Sequence, residues 1–65
     1  MLKNRVAELR VRFNLTQEEL AERIGASKQT IVSLENGSYS PYLLLAINIS
    51  IEFDMPIEEI FFRES

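Results

Sequence analysis

The sequence predicts a small all-α domain of five short helices, and three observations predict it. Apolar residues recur at steps of three and four. Ser or Thr stands where helices begin, and Gly, Asn or Pro stands where they stop or restart. The 65 residues suffice for one domain, residues 1–65, with short loops and no repeat or linker.

Taken in order, residues 3–12 place Val6 and Leu9, with Phe13 beyond them, on one face and Lys and Arg on the other, which predicts a first helix. Asn14 suits a left-handed exit, and Leu15 precedes a cap as a hydrophobic staple does. Thr16 caps the second helix, where Glu19 can reach back to close a capping box. Leu20, Ala21 and Ile24 supply its apolar stripe, and Gly25 stands at the left-handed exit. After Ala26, Ser27 caps a third helix. Ile31 and Leu34 point inward from it, and Gly37 ends it after Asn36. Ser40 and Pro41 then predict a fourth helix, capped by Ser40, from Pro41 to about Phe53. Leu43, Ala46, Ile49 and Phe53 are its expected core stripe. Asp54 can end it in a left-handed conformation. Pro56 opens a short fifth helix whose first turn holds Glu58 and Glu59, which the helix dipole favours there. Met55, Ile57, Ile60 and Phe61 are expected to close the core, and the last residues either extend as a short strand or leave Phe62 on an interface.

The second and third helices, joined by a three-residue turn containing Gly, have the helix-turn-helix layout. On the outward face of the third helix, Lys28, Gln29, Val32, Ser33 and Asn36 recur at steps of three and four. That face suits base edges. Lys donates to guanine, Gln pairs bidentately with adenine, Ser meets either, and Val32 can touch a thymine methyl. A face serving only solubility would carry Glu and Lys pairs instead. Tyr39 and Tyr42 flank the following loop, where each can donate to a phosphate or simply pack the loop.

The fourth helix has a second apolar stripe, Leu44, Ile47 and Ile51, rotated away from the first. A helix apolar on two faces must bury both. Leu44, Ile47 and Ile51, joined by Phe62, are therefore expected to form a homodimer interface.

Composition narrows the chemistry. The chain has no Cys and no His, so disulfides, thiol nucleophiles and the usual zinc ligands are excluded. No metal, cofactor or small-molecule ligand is expected. Glu58 and Glu59 are adjacent on a helix and diverge, so they form no catalytic pair. With no nucleophile–base pair or phosphate loop, an enzyme is not expected. Lys3 and Arg5 interrupt the amino terminus, and no apolar run approaches ~20 residues, so neither a signal peptide nor a membrane span is expected and a cytoplasmic location is. The net charge of −3 runs against the basic balance of DNA-binding proteins, but it is polarised. Residues 1–31 carry Lys3, Arg5, Arg10, Arg12, Arg23 and Lys28 against Glu8, Glu18, Glu19 and Glu22, a net +2. Residues 32–65 carry Arg63 against Glu35, Glu52, Asp54, Glu58, Glu59 and Glu64, a net −5.

The string LTQEELAERIGASKQTIVSLENGSYSP resembles the Cro/repressor, xenobiotic-response-element type of helix-turn-helix family, and the likeness extends over nearly the whole chain. The resemblance implies a five-helix, lambda-repressor-like fold that binds operator DNA as a dimer. By position, Gln17 matches a phosphate-gripping residue, and Ser27, Lys28, Gln29, Thr30 and Ser33 match recognition positions. Asn36 matches a phosphate contact at the far end of the helix, and Ser38 and Val32 complete the expected DNA-binding set. The family also pairs a basic residue of the first helix with a glutamate of the third, here Arg10 with Glu35. Leu44 and Ile51 depart from the family, which usually places polar residues there, and Asp54 departs by replacing a glycine that the family favours.

Two function classes fit. The first is a sequence-specific transcriptional regulator, a repressor, that binds a near-palindromic operator in double-stranded DNA as a homodimer, with helix 27–36 in the major groove. The second is a protein-interaction module of the same fold, antitoxin-like or an adaptor. The extra apolar stripe and the acidic balance favour the second; the polar third-helix face favours the first.

Overall fold

In the computed structural model, which describes residues 2–63, the chain runs β1 (Leu2–Asn4), α1 (Val6–Arg12), α2 (Gln17–Ile24), α3 (Lys28–Glu35), α4 (Leu43–Phe53), α5 (Ile57–Ile60) and β2 (Phe61–Arg63). The five expected helices are present and the all-α helix-turn-helix fold fits, with two short strands added where the ends of the chain meet. They pair antiparallel in the register Leu2 with Arg63, Lys3 with Phe62 and Asn4 with Phe61. The first helix therefore begins at Val6, not residue 3. Asn4 is the reason. Its Oδ1 accepts from the Val6 amide at 3.0 Å, and its Nδ2 donates to the Leu34 carbonyl at 2.9 Å, tying the strand to the end of α3.

The caps fall where local chemistry puts them. Thr16 Oγ1 accepts from the Glu19 amide at 3.0 Å, and Glu19 Oε1 accepts from the Thr16 amide at 2.9 Å, a complete capping box. The bond from the Thr16 amide, helped by the Thr16 hydroxyl, lowers the pKa of the Glu19 carboxyl from the ordinary carboxylate range. Asn14 and Asp54 adopt left-handed conformations, with φ of 59° and 53°.

Between the helices lies one apolar cluster made by Val6, Leu9, Leu15, Leu20, Ala21, Ile24, Ile31, Leu34, Leu45, Ala46, Ile49, Phe53, Ile60 and Phe61. Met55 and Ile57 pack against it, as expected for the end of the chain. Phe13 departs from the face of Val6 and Leu9. It follows the helix, is largely exposed, and meets the Phe53 ring edge-on with centroids 5.1 Å apart.

The fourth helix brings two corrections. It starts at Leu43, with Tyr42 extended at φ −73° and ψ 162° as its N-cap, so Ser40 makes no cap and Pro41 lies outside the helix. Leu45, not Leu43, completes the buried stripe with Ala46, Ile49 and Phe53, while Leu43 is 72% exposed. Leu43 lies three residues before Ala46, and Leu45 four before Ile49, so both satisfy helical spacing. The rotation of α4 about its own axis decides which is covered: Leu45 stands in line with Ile49 and Phe53 at steps of four, and Leu43 does not. Among the described residues, no helix is long and apolar enough to cross a membrane.

Candidate nucleic-acid interface

The turn between α2 and α3 is held by its own backbone. Gly25 leaves α2 at φ 71°, and the Ala26 amide donates to the Ala21 carbonyl at 2.9 Å. Ser27 then caps α3, its Oγ accepting from the Thr30 amide at 3.2 Å and lying 2.9 Å from Thr30 Oγ1. Ile31 and Leu34 are fully buried, which fixes the rotation of α3 about its axis. The opposite side follows: Lys28, Gln29 and Asn36 are exposed, while Thr30, Val32 and Ser33 are half-buried at its margins.

Several of these side chains are already oriented. Gln29 Nε2 donates to Ser33 Oγ at 3.2 Å, one turn along the helix, which leaves the Gln29 carbonyl oxygen and its second amide hydrogen facing outward. Asn36 Oδ1 accepts from the Ser38 amide at 2.9 Å, and Ser38 Oγ donates to the Ser33 carbonyl at 3.3 Å, so Asn36 and Ser38 shape the turn after α3. Ser27, Gln29, Thr30 and Ser33 line a cleft of about 190 Å³ with Tyr39, which the loop after α3 carries back beside that helix.

Beneath the α2 end of this surface, Glu35 collects three donors. Arg10 Nε reaches its Oε2 at 2.7 Å, and Arg10 Nη2 and Gln17 Nε2 reach its Oε1 at 3.4 and 3.0 Å. Arg10 Nη1 also donates to the Leu15 carbonyl at 2.8 Å. The Arg10–Glu35 ion pair joins α1 to α3 as the resemblance implies. The contact with Gln17 was not legible in the sequence, since 18 residues separate it from Glu35 and neither type announces the other.

Electrostatically the surface is lightly charged. Lys28 Nζ lies 3.6 Å from Glu18 Oε1, and Arg23 Nη1 lies 3.0 Å from Glu52 Oε2. Glu8 Oε2 accepts from both Arg5 and Arg12 at 2.9 Å, and the bond from Arg5 lowers the Glu8 carboxyl pKa while raising that of Arg5. Exposed pairs of this kind are weak and exchange readily for other partners. Among the described residues, no group of three Asp, Glu, His or Cys side chains could hold a metal ion.

The expected dimer residues divide between two elements. Leu44, Ile47 and Ile51 are 61%, 37% and 71% exposed on one arc of α4, and Leu43 joins them. Phe62 is exposed on β2, paired across the sheet with Lys3.

The comparison with known proteins agrees with this geometry. Residues 6–60 match a family model described as helix-turn-helix. The chain is 46% identical over 63 residues to YgzD of Bacillus subtilis strain 168, named an uncharacterised HTH-type transcriptional regulator, covering 97% of this chain and 96% of that one. It is 50% identical over 60 residues to an HTH-type transcriptional regulator of Archaeoglobus fulgidus, covering 92% of this chain and 84% of its relative. It is also 35% identical over 60 residues to the cryptic phage CTXphi transcriptional repressor RstR of Vibrio cholerae, of which it spans 54%. The chain belongs to the Cro/C1-type helix-turn-helix family of DNA-binding transcriptional regulators.

Proposed function

We propose that the protein represses transcription by occupying a near-palindromic operator as a homodimer, with α3 in the major groove. Lys28 and Gln29 read base edges, Val32 and Ser33 add apolar and hydroxyl contacts, and Gln17 and Asn36 anchor phosphates on either side. The observation that carries this reading is the division of α3: buried Ile31 and Leu34 lock one side, and outward-facing Lys28 and Gln29 occupy the other. The exposed stripe on α4 supports the dimer, which would set two recognition helices about 34 Å apart, one turn of duplex. Because the chain carries 7 Lys and Arg against 10 Asp and Glu, and Arg10 is committed to the largely buried Glu35, few cations face the phosphates, and the salt dependence of binding should be shallow.

Selection of bound sequences from a random duplex pool at low and moderate salt tests this reading. A two-fold symmetric consensus with half-sites about 10 base pairs apart is the expected outcome. No enrichment at either salt, with a stoichiometric protein captured on the α4 stripe, would replace operator binding by the interaction-module reading.

A further inference from the structure

The cluster around Glu35 does more than brace α1 against α3. Glu35 leaves only 8% of its side chain exposed, and its Oε1 holds one hydrogen of the Gln17 amide at 3.0 Å. Gln17 is the first residue of α2, half-buried, at the helix end whose unpaired backbone amides favour an anion. A glutamine amide has two hydrogens, and the one Glu35 takes leaves the other to be presented outward. Unrestrained, such a side chain samples several rotamers and loses that freedom on binding. Pinned, it loses the freedom during folding. A bare carboxylate so near a phosphate would repel it, but Arg10 at 2.7 Å cancels the charge.

We propose that Glu35 is a positioning residue for DNA binding: by holding one amide hydrogen of Gln17, with Arg10 neutralising it, Glu35 aims the second hydrogen at a backbone phosphate. This rests on the reading of the protein as an operator-binding regulator. Arg10, Glu35 and Gln17 then act as a chain, in which α1 supplies charge balance, α3 supplies the acceptor and α2 supplies the phosphate donor.

The test is a double-mutant cycle on operator affinity, using the full chain, the duplex recovered by selection and a fixed salt concentration. Gln17→Ala should weaken wild-type binding roughly tenfold to a hundredfold, the loss of one hydrogen bond to a charged group. In the Arg10→Met/Glu35→Leu background, which strands no charge, the same change should cost less than about twofold. Equal losses in both backgrounds would reduce Glu35 to a brace and overturn the proposal. So would an undiminished affinity of Gln17→Ala in the wild-type background. If the wild-type protein binds no duplex at all, operator binding itself fails, and the proposal with it.

A second measurement needs neither DNA nor the double variant. The side-chain amide order parameter of Gln17 in the unliganded protein should be high, and Glu35→Gln, which keeps shape but weakens the acceptor, should lower it. A Gln17 amide already averaging among rotamers in the wild-type protein would overturn the proposal.

Discussion

Replacing Arg10 with Met leaves Glu35 as a carboxylate with 8% of its side chain exposed, with Gln17 still donating to it. Stranding a charge in that position costs about 3–5 kcal/mol. The opposite change, Glu35→Leu, costs less, because Arg10 is 17% exposed, keeps its bond to the Leu15 carbonyl, and has a stem long enough to bring the guanidinium toward water. About 1–3 kcal/mol is expected there. The double variant Arg10→Met/Glu35→Leu removes both charges and fills the space with apolar atoms, so it should lie within about 1 kcal/mol of wild type. These are large effects here. A chain of 65 residues has a total stability of roughly 3–10 kcal/mol, so Arg10→Met alone removes a third of it or more. Urea unfolding followed by far-ultraviolet circular dichroism measures all four proteins, at one protomer concentration because association would add stability. Losses that simply add in the double variant would refute the pair as an energetic unit. A loss below about 1 kcal/mol for Arg10→Met would refute its burial as the controlling factor.

Gln29→Ala should cost roughly 1–3 kcal/mol at the selected operator and almost nothing on unrelated duplex; equal losses on both, measured by fluorescence anisotropy, would remove Gln29 from base readout. The pair Leu44→Lys and Ile51→Lys should give a folded monomer that binds a half-site weakly, whereas a tight dimer in sedimentation would place the interface elsewhere. Acid should loosen the start of α2. Hydrogen bonds from Thr16 depress the Glu19 pKa in the folded chain, so this group's contribution is complete above the unfolded carboxylate range and fades as pH falls through the lowered folded value. Glu19→Gln keeps a cap but has no titrating proton, so its stability should fall less steeply than that of wild type between about pH 5 and pH 3.

Interactions spanning two to four residues were legible in the sequence because both partners sit in one short window. Thr16 with Glu19, Ser27 with Thr30, and the left-handed exits at Asn14, Gly25 and Asp54 need no knowledge of the rest of the chain. They fix where α2 and α3 start and stop. With Ile31 and Leu34 turned inward, they also fix which side of α3 carries Lys28, Gln29 and Ser33.

Spacing alone therefore specifies the helix-turn-helix and the outward face of its second helix. The remaining features depend on how distant segments pack. Leu2–Asn4 became a strand because Phe61–Arg63, some sixty residues away, offered backbone partners that no local pattern reveals. Leu45 displaced Leu43 from the core because the face of α4 turned toward α2 and α5 is the one that carries Leu45, Ile49 and Phe53 at steps of four, and Leu43 lies to one side of it. Gln17 came to rest on Glu35 because packing, not sequence proximity, brings the start of α2 beside the end of α3. Local hydrogen bonds can be read from spacing; long-range pairing depends on how rigid pieces meet.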